Sequence, residues 1–465
     1  VTATYHVGDV RQVLATFDDD TFDLAFTSPP FLALRSYLPA DHPDKALEIG
    51  SEATPGEYLQ TLLDLTQEWG RVLTRHGTLV VELGDTYAGS GGGGGDYLPD
   101  GLRENQPGFG GSAERQREGN AAHWRQKNRE PAGWPLDKSL SLIPTLYPAS
   151  LAYGRNLLTG QPCDRWRIRN LIVWHRPNPP VGALGDKVRP STSYLTVACK
   201  ARDRWFDLDA VRGPMNDHSL RYWENGSKAR DGFTDRKDAY ERDGSNPPNP
   251  AGAPPLDAWF DQWDPTNPHD VWTIPTQPYK GAHYATFPYS LAKRVIEMCC
   301  PRQVCQTCGE PSRRITERNG NLDPTRPQAR RAMQLAEEGG LTEEHFAAIR
   351  AFGIHDAGKA QVTQTGAGKN SAEVKRLAGE AKTVLGGYFR EYLIERPATS
   401  GWTDCGCSDD GSHWRPGHIL DPFAGSGTTL EAAVALGYTA VGIDLDPRNL
   451  DLARQRVGMF LEVAS

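Results

Sequence analysis

Two short stretches carry residue types whose spacing could do chemistry. The first is Thr27-Ser28-Pro29-Pro30-Phe31. The Ser28 hydroxyl and the Pro29 carbonyl are hydrogen-bond acceptors on neighbouring residues. The prolines stiffen the turn, so both acceptors are set before a substrate arrives. Phe31 adds a ring on which a flat ligand can stack. The second stretch is Asp421-Pro422-Phe423-Ala424-Gly425-Ser426-Gly427-Thr428-Thr429. Gly425 and Gly427 allow a tight turn and close approach of the backbone to a ligand. Asp444 closes the next apolar run, 17 residues after Gly427, where an acid can accept hydrogen bonds from ribose hydroxyls. Together these features predict an adenosine-containing cofactor. The turn lacks the G-x-x-x-x-G-K-[ST] pattern, which argues against a nucleoside triphosphate.

Eight cysteines are present, six of them between residues 299 and 407. Cys305-x-x-Cys308-Gly309 has the spacing of a metal knuckle, and Cys405-Gly406-Cys407 supplies a second close pair. Four thiolates suit zinc or an iron–sulfur centre, and zinc is the expectation because nothing nearby calls for electron transfer. His413 is the reserve ligand, with Cys299 and Cys300 as nearby alternatives. The competing reading is a set of buried, metal-free thiols.

The elements that must position these groups read as α/β. Residues 5–7 and 21–27 suggest strands, 57–74 a helix and TLVVEL (78–83) a strand. LIVW (171–174) and YLTVAC (194–199) suggest further strands, and 288–300 a helix. Residues 325–354 and 371–392 are helical in pattern. From His418 the order is strand, glycine-rich turn, helix, strand, with a last helix from Pro447 to Gly458. Residues 89–135 and 213–268 are poor in aliphatic residues and predict irregular segments, the first a mobile loop.

DPFAGSGTT followed by GIDLDP resembles the cofactor motif of amino-methylating DNA methyltransferases, and TSPPF resembles their catalytic [DNS]-P-P-[YFW] motif. The Ser form is similar to the cytosine-N4 type; the adenine type usually carries Asp. Catalytic motif first and cofactor motif last is the β-type, circularly permuted order. Gly77 to Tyr87 and Arg169 to Pro179 resemble two more segments of the family, with Leu171 in place of the usual acid and Arg176 in place of the usual Lys. The resemblance covers roughly residues 5–87, 140–210, 270–300 and 418–458.

That resemblance implies a Rossmann-like fold, mostly parallel and flanked by helices, that binds S-adenosylmethionine and methylates N4 of cytosine in double-stranded DNA. In that reading Ser28, Pro29, Pro30 and Phe31 act on a flipped base by direct transfer. Asp444 holds the ribose and residues 421–429 the methionine end. Gly8, Asp9, Thr27, Thr286, Phe287 and Pro288 complete the cofactor site. Adenine N6 is the alternative target, RNA or protein substrates are weaker, and a non-catalytic DNA-binding module is the alternative of another class. An NAD dehydrogenase is disfavoured because the N-terminus has no dinucleotide fingerprint.

The expected organisation, joining this resemblance to the residue patterns above, is a catalytic half (1–88), a Gly-rich loop (89–135), a continuation of the sheet with a basic DNA-facing segment (136–212), an irregular insertion (213–268), a cofactor-closing segment and helix (269–304), a helical insert clamped by a four-cysteine zinc site (305–417), and the cofactor half (418–465). The resemblance does not cover 89–135, 213–268 or 309–404, and the insert and the basic stretch 151–230 are the candidates for reading the target. The formal net charge of −8 opposes phosphate binding, but residues 151–230 hold 14 Lys and Arg against 7 Asp and Glu. No apolar run is long enough to span a membrane, and the first residues do not read as a signal peptide. A cytoplasmic protein is expected, any cognate restriction endonuclease acting separately.

Overall fold

A computed structural model describes residues 1–33, 37–38, 41–88, 132–179, 188–211, 269–276, 287–319, 322, 327–356, 371–392, 396–408 and 411–464. In chain order the first elements are β1 (Ala3–Val7), α1 (Val10–Leu14), β2 (Phe22–Thr27), α2 (Pro55–Val72) and β3 (Leu73–Leu83). α3 (Ile143–Tyr153), β4 (Arg167–His175), β5 (Thr192–Cys199), β6 (Val271–Thr273), α4 (Tyr289–Cys299) and β7 (Gln303–Cys305) follow. Then come β8 (Arg314–Asn319), α5 (Pro327–Glu338), α6 (Glu343–Asp356), α7 (Ala372–Leu385) and β9 (Arg396–Trp402). The chain closes with β10 (Trp414–Pro416), β11 (His418–Asp421), α8 (Thr428–Ala435), β12 (Thr439–Asp444), α9 (Arg448–Val457) and β13 (Leu461–Val463).

The chain forms two compact units. The first contains residues 1–211, 268–313 and 404–465. Its nine-stranded sheet runs β13-β1-β12-β11-β2-β3-β5-β4-β6. Neighbours are parallel except where β5 meets β3 and β4. Every residue of β2 is buried, as expected of a central parallel strand covered on both faces. Its side chains divide between two cores, with a register shift between Phe22 and Leu24. Leu24 and Phe26 pack with α4 and α8, whereas Phe22 and Ala25 pack with α1, α2 and α3. α2 begins with a capping box, Thr54 and Glu57 each bonding the other's backbone N–H, and Pro55 occupies its first turn.

The strand order reverses between β11 and β2. β11 continues to β12 on one side and β2 to β3 on the other, which leaves a crevice at the carboxyl ends of these strands. The opposite ends are tied by Asp23. Its buried carboxylate accepts bonds from Arg415, His76 and the backbone N–H of His418. Burial alone would raise the Asp23 pKa, but the bonds from His76 and Arg415 outweigh it and hold the group ionised.

The described part of the second unit, within residues 314–403, comprises the antiparallel pair β8 and β9, with helices α5 to α7 between them in the chain, and a small core that includes Ala332, Ile349, Ala381 and Phe389. The helical pattern of 325–354 is two helices, separated at Gly339-Gly340, where Gly340 takes φ of 65°. The unit's boundaries at residues 314 and 403 lie inside the expected insert of 305–417, because both cysteine pairs belong to the first unit. The expected irregular insertion 213–268 and nearly all of the expected loop 89–135 lie outside the described residues.

Candidate active site

The crevice holds a cavity of about 500 Å³, a size suited to one small ligand. Both sequence stretches that suggested chemistry open into it. Ser28, Pro29, Pro30 and Phe31 line one part; Pro422, Phe423, Ala424, Gly425, Ser426, Thr428 and Asp444 line another. Gly8, Asp9 and Phe287 also reach it. Thr27, Asp421, Gly427, Thr429 and Pro288 do not line it, and Thr286 lies outside the described residues.

Thr27, Asp421 and Thr429 form a lock behind the cavity. The buried Asp421 carboxylate accepts from the Thr27 hydroxyl at 2.7 Å and the Thr429 hydroxyl at 2.6 Å. It also takes the Phe423 N–H at 3.2 Å. Burial pushes the Asp421 pKa up to about 6, against the pull of those donors. The lock joins the ends of β11 and β2 at the point where the strand order reverses. Gly427 begins α8 with φ of 80°, a conformation that favours glycine. Pro288 caps α4.

Asp444, at the end of β12, shapes the glycine turn. Its carboxylate accepts from the backbone N–H of Gly425 at 2.8 Å, that of Asp446 at 2.8 Å and the Asn449 side-chain amide at 2.9 Å. Burial raises its pKa to about 6, partly opposed by Asn449 and the backbone donors. Tyr5, on neighbouring β1, donates its hydroxyl to the Gly425 carbonyl at 2.8 Å. The carboxylate of Asp9 is engaged by Arg11, through the backbone N–H at 2.7 Å and the guanidinium at 3.0 Å.

The T-S-P-P-F turn is held from three sides: by Tyr58 and Gly50, which sequence reasoning did not single out, and by Gly84, from the segment Gly77 to Tyr87 that resembles the family. Tyr58 on α2 donates its hydroxyl to the Pro30 carbonyl at 2.7 Å. Gly50, with φ of 92°, sits where a Cβ would lie 3.1 Å from the Phe31 carbonyl oxygen. Gly84 lies against the Phe31 ring; a Cβ there would come within 2.4 Å of the ring edge. No described group donates to the Pro29 carbonyl.

The Ser28 hydroxyl donates to a carboxylate oxygen of Glu82 at 2.5 Å. Glu82 comes from β3, beside β2, and also lines the cavity. Burial raises its pKa, while the Ser193 and Ser28 hydroxyls and the positive charge of Arg176 oppose the rise. Arg176 lines the same cavity. It donates to the Thr192 carbonyl at 2.9 Å and lies over the Trp174 ring, and its buried Nε has no partner among the described residues. Asn178 and Thr276 complete this wall with two reciprocal bonds. A lone acid inside the apolar run of 78–83 was the signal for Glu82.

The basic stretch expected to face DNA divides in space. Arg176 reaches the cavity, but Arg167 and Arg169 open β4, and Arg202 and Arg204 follow β5. The antiparallel register pairs Arg167 with Cys199 and His175 with Thr192. Those four arginines therefore lie at the other end of the strands, about 25 Å from the cavity edge at 3.3 Å per residue. Residues 212–230 of the stretch lie outside the described residues.

The residues fit an adenosine-bearing cofactor on three counts: a glycine turn at the switch point, an acid at the end of the next strand, and Ser426, whose buried hydroxyl has no partner among the described residues although it lines the cavity. Comparisons with known proteins gave the following similarities. The type II methyltransferase M.SmaI of Serratia marcescens is 24% identical over 291 residues, 62% of this chain and 73% of that protein. M.Cfr9I of Citrobacter freundii is 26% identical over 294 residues, 63% and 71% of the two chains. The solved PvuII DNA methyltransferase, described as cytosine-N4-specific, aligns with a TM-score of 0.41 and 11% identity, over 98% of this chain and 86% of that one. Residues 22–303 and 415–455 match the DNA methylase family that unites N6 and N4 enzymes. With more than half of its length matched and both of its motifs opening into one cavity, the chain belongs to the N6/N4 DNA methylase family and is a DNA methyltransferase.

Proposed function

We propose that the protein methylates N4 of cytosine in double-stranded DNA, using S-adenosylmethionine and acting on a base turned out of the duplex. The observation that carries this reading is the bond from Ser28 to Glu82. A serine hydroxyl has one hydrogen and two lone pairs. With its hydrogen given to Glu82, Ser28 can only accept toward the cavity. The second acceptor is the Pro29 carbonyl. An exocyclic amino group offers two hydrogens, and its lone pair is delocalised into the ring. Two fixed acceptors align those hydrogens and turn the lone pair toward the cofactor side of the cavity. S-adenosylmethionine supplies an electrophilic methyl group when bound.

Asp444 accepts from the ribose hydroxyls, and Phe423 to Gly427 hold the methionine end. Phe31, backed by Gly84, stacks on the base. Methylation leaves the amino nitrogen with one proton too many, and Ser28 passes it to Glu82, whose raised pKa suits it to receive one. Serine in the place where adenine enzymes usually carry Asp favours cytosine. The protein is read as a cytoplasmic modification enzyme, any partner nuclease acting on its own. Among the described residues no helix is long and apolar enough to cross a membrane.

The test is enzymatic digestion of DNA methylated by the purified protein, followed by identification of the modified nucleoside. N4-methylcytidine in its deoxy form is expected. N6-methyldeoxyadenosine would overturn the choice of base, and no incorporation would favour the non-catalytic alternative.

A further inference from the structure

Methyl transfer leaves idle a group of four cysteines on the first unit. Cys305 ends β7, Cys308 lies on the turn after it, and Cys405 and Cys407 precede β10. β7 and β10 pair antiparallel, with Cys305 opposite Trp414, and the Gln306 N–H donates to the His413 carbonyl at 2.8 Å. This pairing brings the two cysteine pairs together across nearly a hundred residues of chain. All four sulfurs lie within 4.8 Å of one another, and none is in a disulfide. Sulfurs around one zinc ion, bonded at about 2.3 Å in a tetrahedron, stand about 3.8 Å apart. The cluster needs only a small contraction to reach that spacing.

The backbone is already shaped for a metal knuckle. Gly309 and Gly406 take φ of 74° and 70°, so a glycine relieves the turn beside each pair. The N–H groups of Thr307 and Cys308 donate to the Cys305 sulfur at 3.3 and 3.4 Å, bonds that stabilise a thiolate and orient it. His413 is buried and places Nε2 3.4 Å from the Cys405 sulfur. It is an outer partner, since four sulfurs already complete a tetrahedron.

We propose that Cys305, Cys308, Cys405 and Cys407 bind one zinc ion in a closed, structural site. β7 and β10 are only three residues each, and an isolated two-stranded sheet is marginal in water. A metal there fixes the point at which the chain leaves the first unit, after Arg313, to the point at which it returns, at Asp404. A link that closes so long a loop removes much of the freedom of the unfolded chain. Four protein ligands leave no open position, so the ion is not catalytic.

The test uses the full-length protein after dialysis. Elemental analysis should give about one zinc per chain, and Cys308→Ser and Cys407→Ser should each bring it below about a tenth. Cys163→Ser, outside the cluster, should keep it. Replacing zinc with cobalt(II) in the wild-type protein gives a reading that does not depend on the variants folding. The absorption of tetrahedral, thiolate-bound cobalt is expected, and removing the metal should speed hydrogen exchange in residues 303–308 and 414–416. Iron with sulfide, disulfides within the pairs by mass spectrometry, or folded protein with no zinc and no cobalt spectrum would each overturn the proposal.

Discussion

If Glu82 acts only by taking the hydrogen of Ser28, the two residues must fail together. Glu82→Gln keeps the shape of the side chain but removes the charge that makes the 2.5 Å bond strong. Hydrogen bonds to charged groups are worth roughly 1.5–3 kcal/mol, which corresponds to a loss of about 10–150-fold in the rate of methyl transfer. Ser28→Ala removes the acceptor itself and should cost at least as much. The double variant should then be no slower than Ser28→Ala alone, so the coupling equals the whole effect of Glu82→Gln. Single-turnover transfer of labelled methyl, with cofactor affinity measured alongside, provides the readout. Stability separates this role from a structural one. Burial raises the Glu82 pKa, so the folded state binds its proton more tightly than the unfolded chain does. Its contribution to stability is greatest below the unfolded pKa and is lost as pH rises through the folded value. At neutral pH, Glu82→Gln should therefore slow the reaction without lowering the melting temperature. With saturating cofactor, so that protonation of Asp444 does not limit the rate, it should also abolish the acidic limb of the wild-type rate profile. Additive losses in the double variant, or a melting temperature that falls with the rate, would refute the reasoning.

Asp444 is raised to about 6 by burial, so S-adenosylmethionine should bind more weakly as pH falls through that value and the carboxylate loses its charge. Asp444→Asn should cost roughly 1–3 kcal/mol of binding at neutral pH and flatten the dependence, and calorimetric affinities that do not change between about pH 5 and pH 8 would sink the assignment. Gly84→Ala forces a Cβ to 2.4 Å from the Phe31 ring. Displacing that ring should slow methyl transfer by about 10–100-fold with cofactor affinity unchanged, and a normal single-turnover rate would count against the ring's role.

The cofactor half was legible because its signal is local. His418 to Asp444 reads as strand, turn, helix and strand, and the structure has β11, α8 and β12 there. The T-S-P-P-F turn was equally plain, and both motifs meet in the cavity. What supports them was not legible, because it arrives from distant segments. Glu82, Tyr58, Gly50 and Gly84 acquire meaning only once β3 lies beside β2 and α2 covers them. Thr27, Asp421 and Thr429 were read as cofactor contacts from their place in the motifs. Their side chains instead close on one another, because a carboxylate so deeply buried must be satisfied by neighbours. β7, β10 and β13 have three residues each, too short for a periodic pattern to show.

Basic residues that are close in sequence need not be close in space, and this sheet shows why. A run of 14 Lys and Arg against 7 acids in residues 151–230 reads as one basic surface. β4 passes through that run from one edge of the sheet to the other, and the antiparallel β5 returns. Arg169 and Arg176 are seven residues apart, yet the strand separates them by about 23 Å at 3.3 Å per residue. Among the described basic residues of the stretch, Arg176 alone shares the cavity with Glu82. Arg169, Arg202 and Arg204 instead gather with Arg313 around a shallow hollow at the far edge. On the proposed reading, a duplex that delivers its base to Ser28 lies across the carboxyl ends of β2 and β3. The arginines around the far hollow, Arg169, Arg202 and Arg204, are therefore not placed to hold it there.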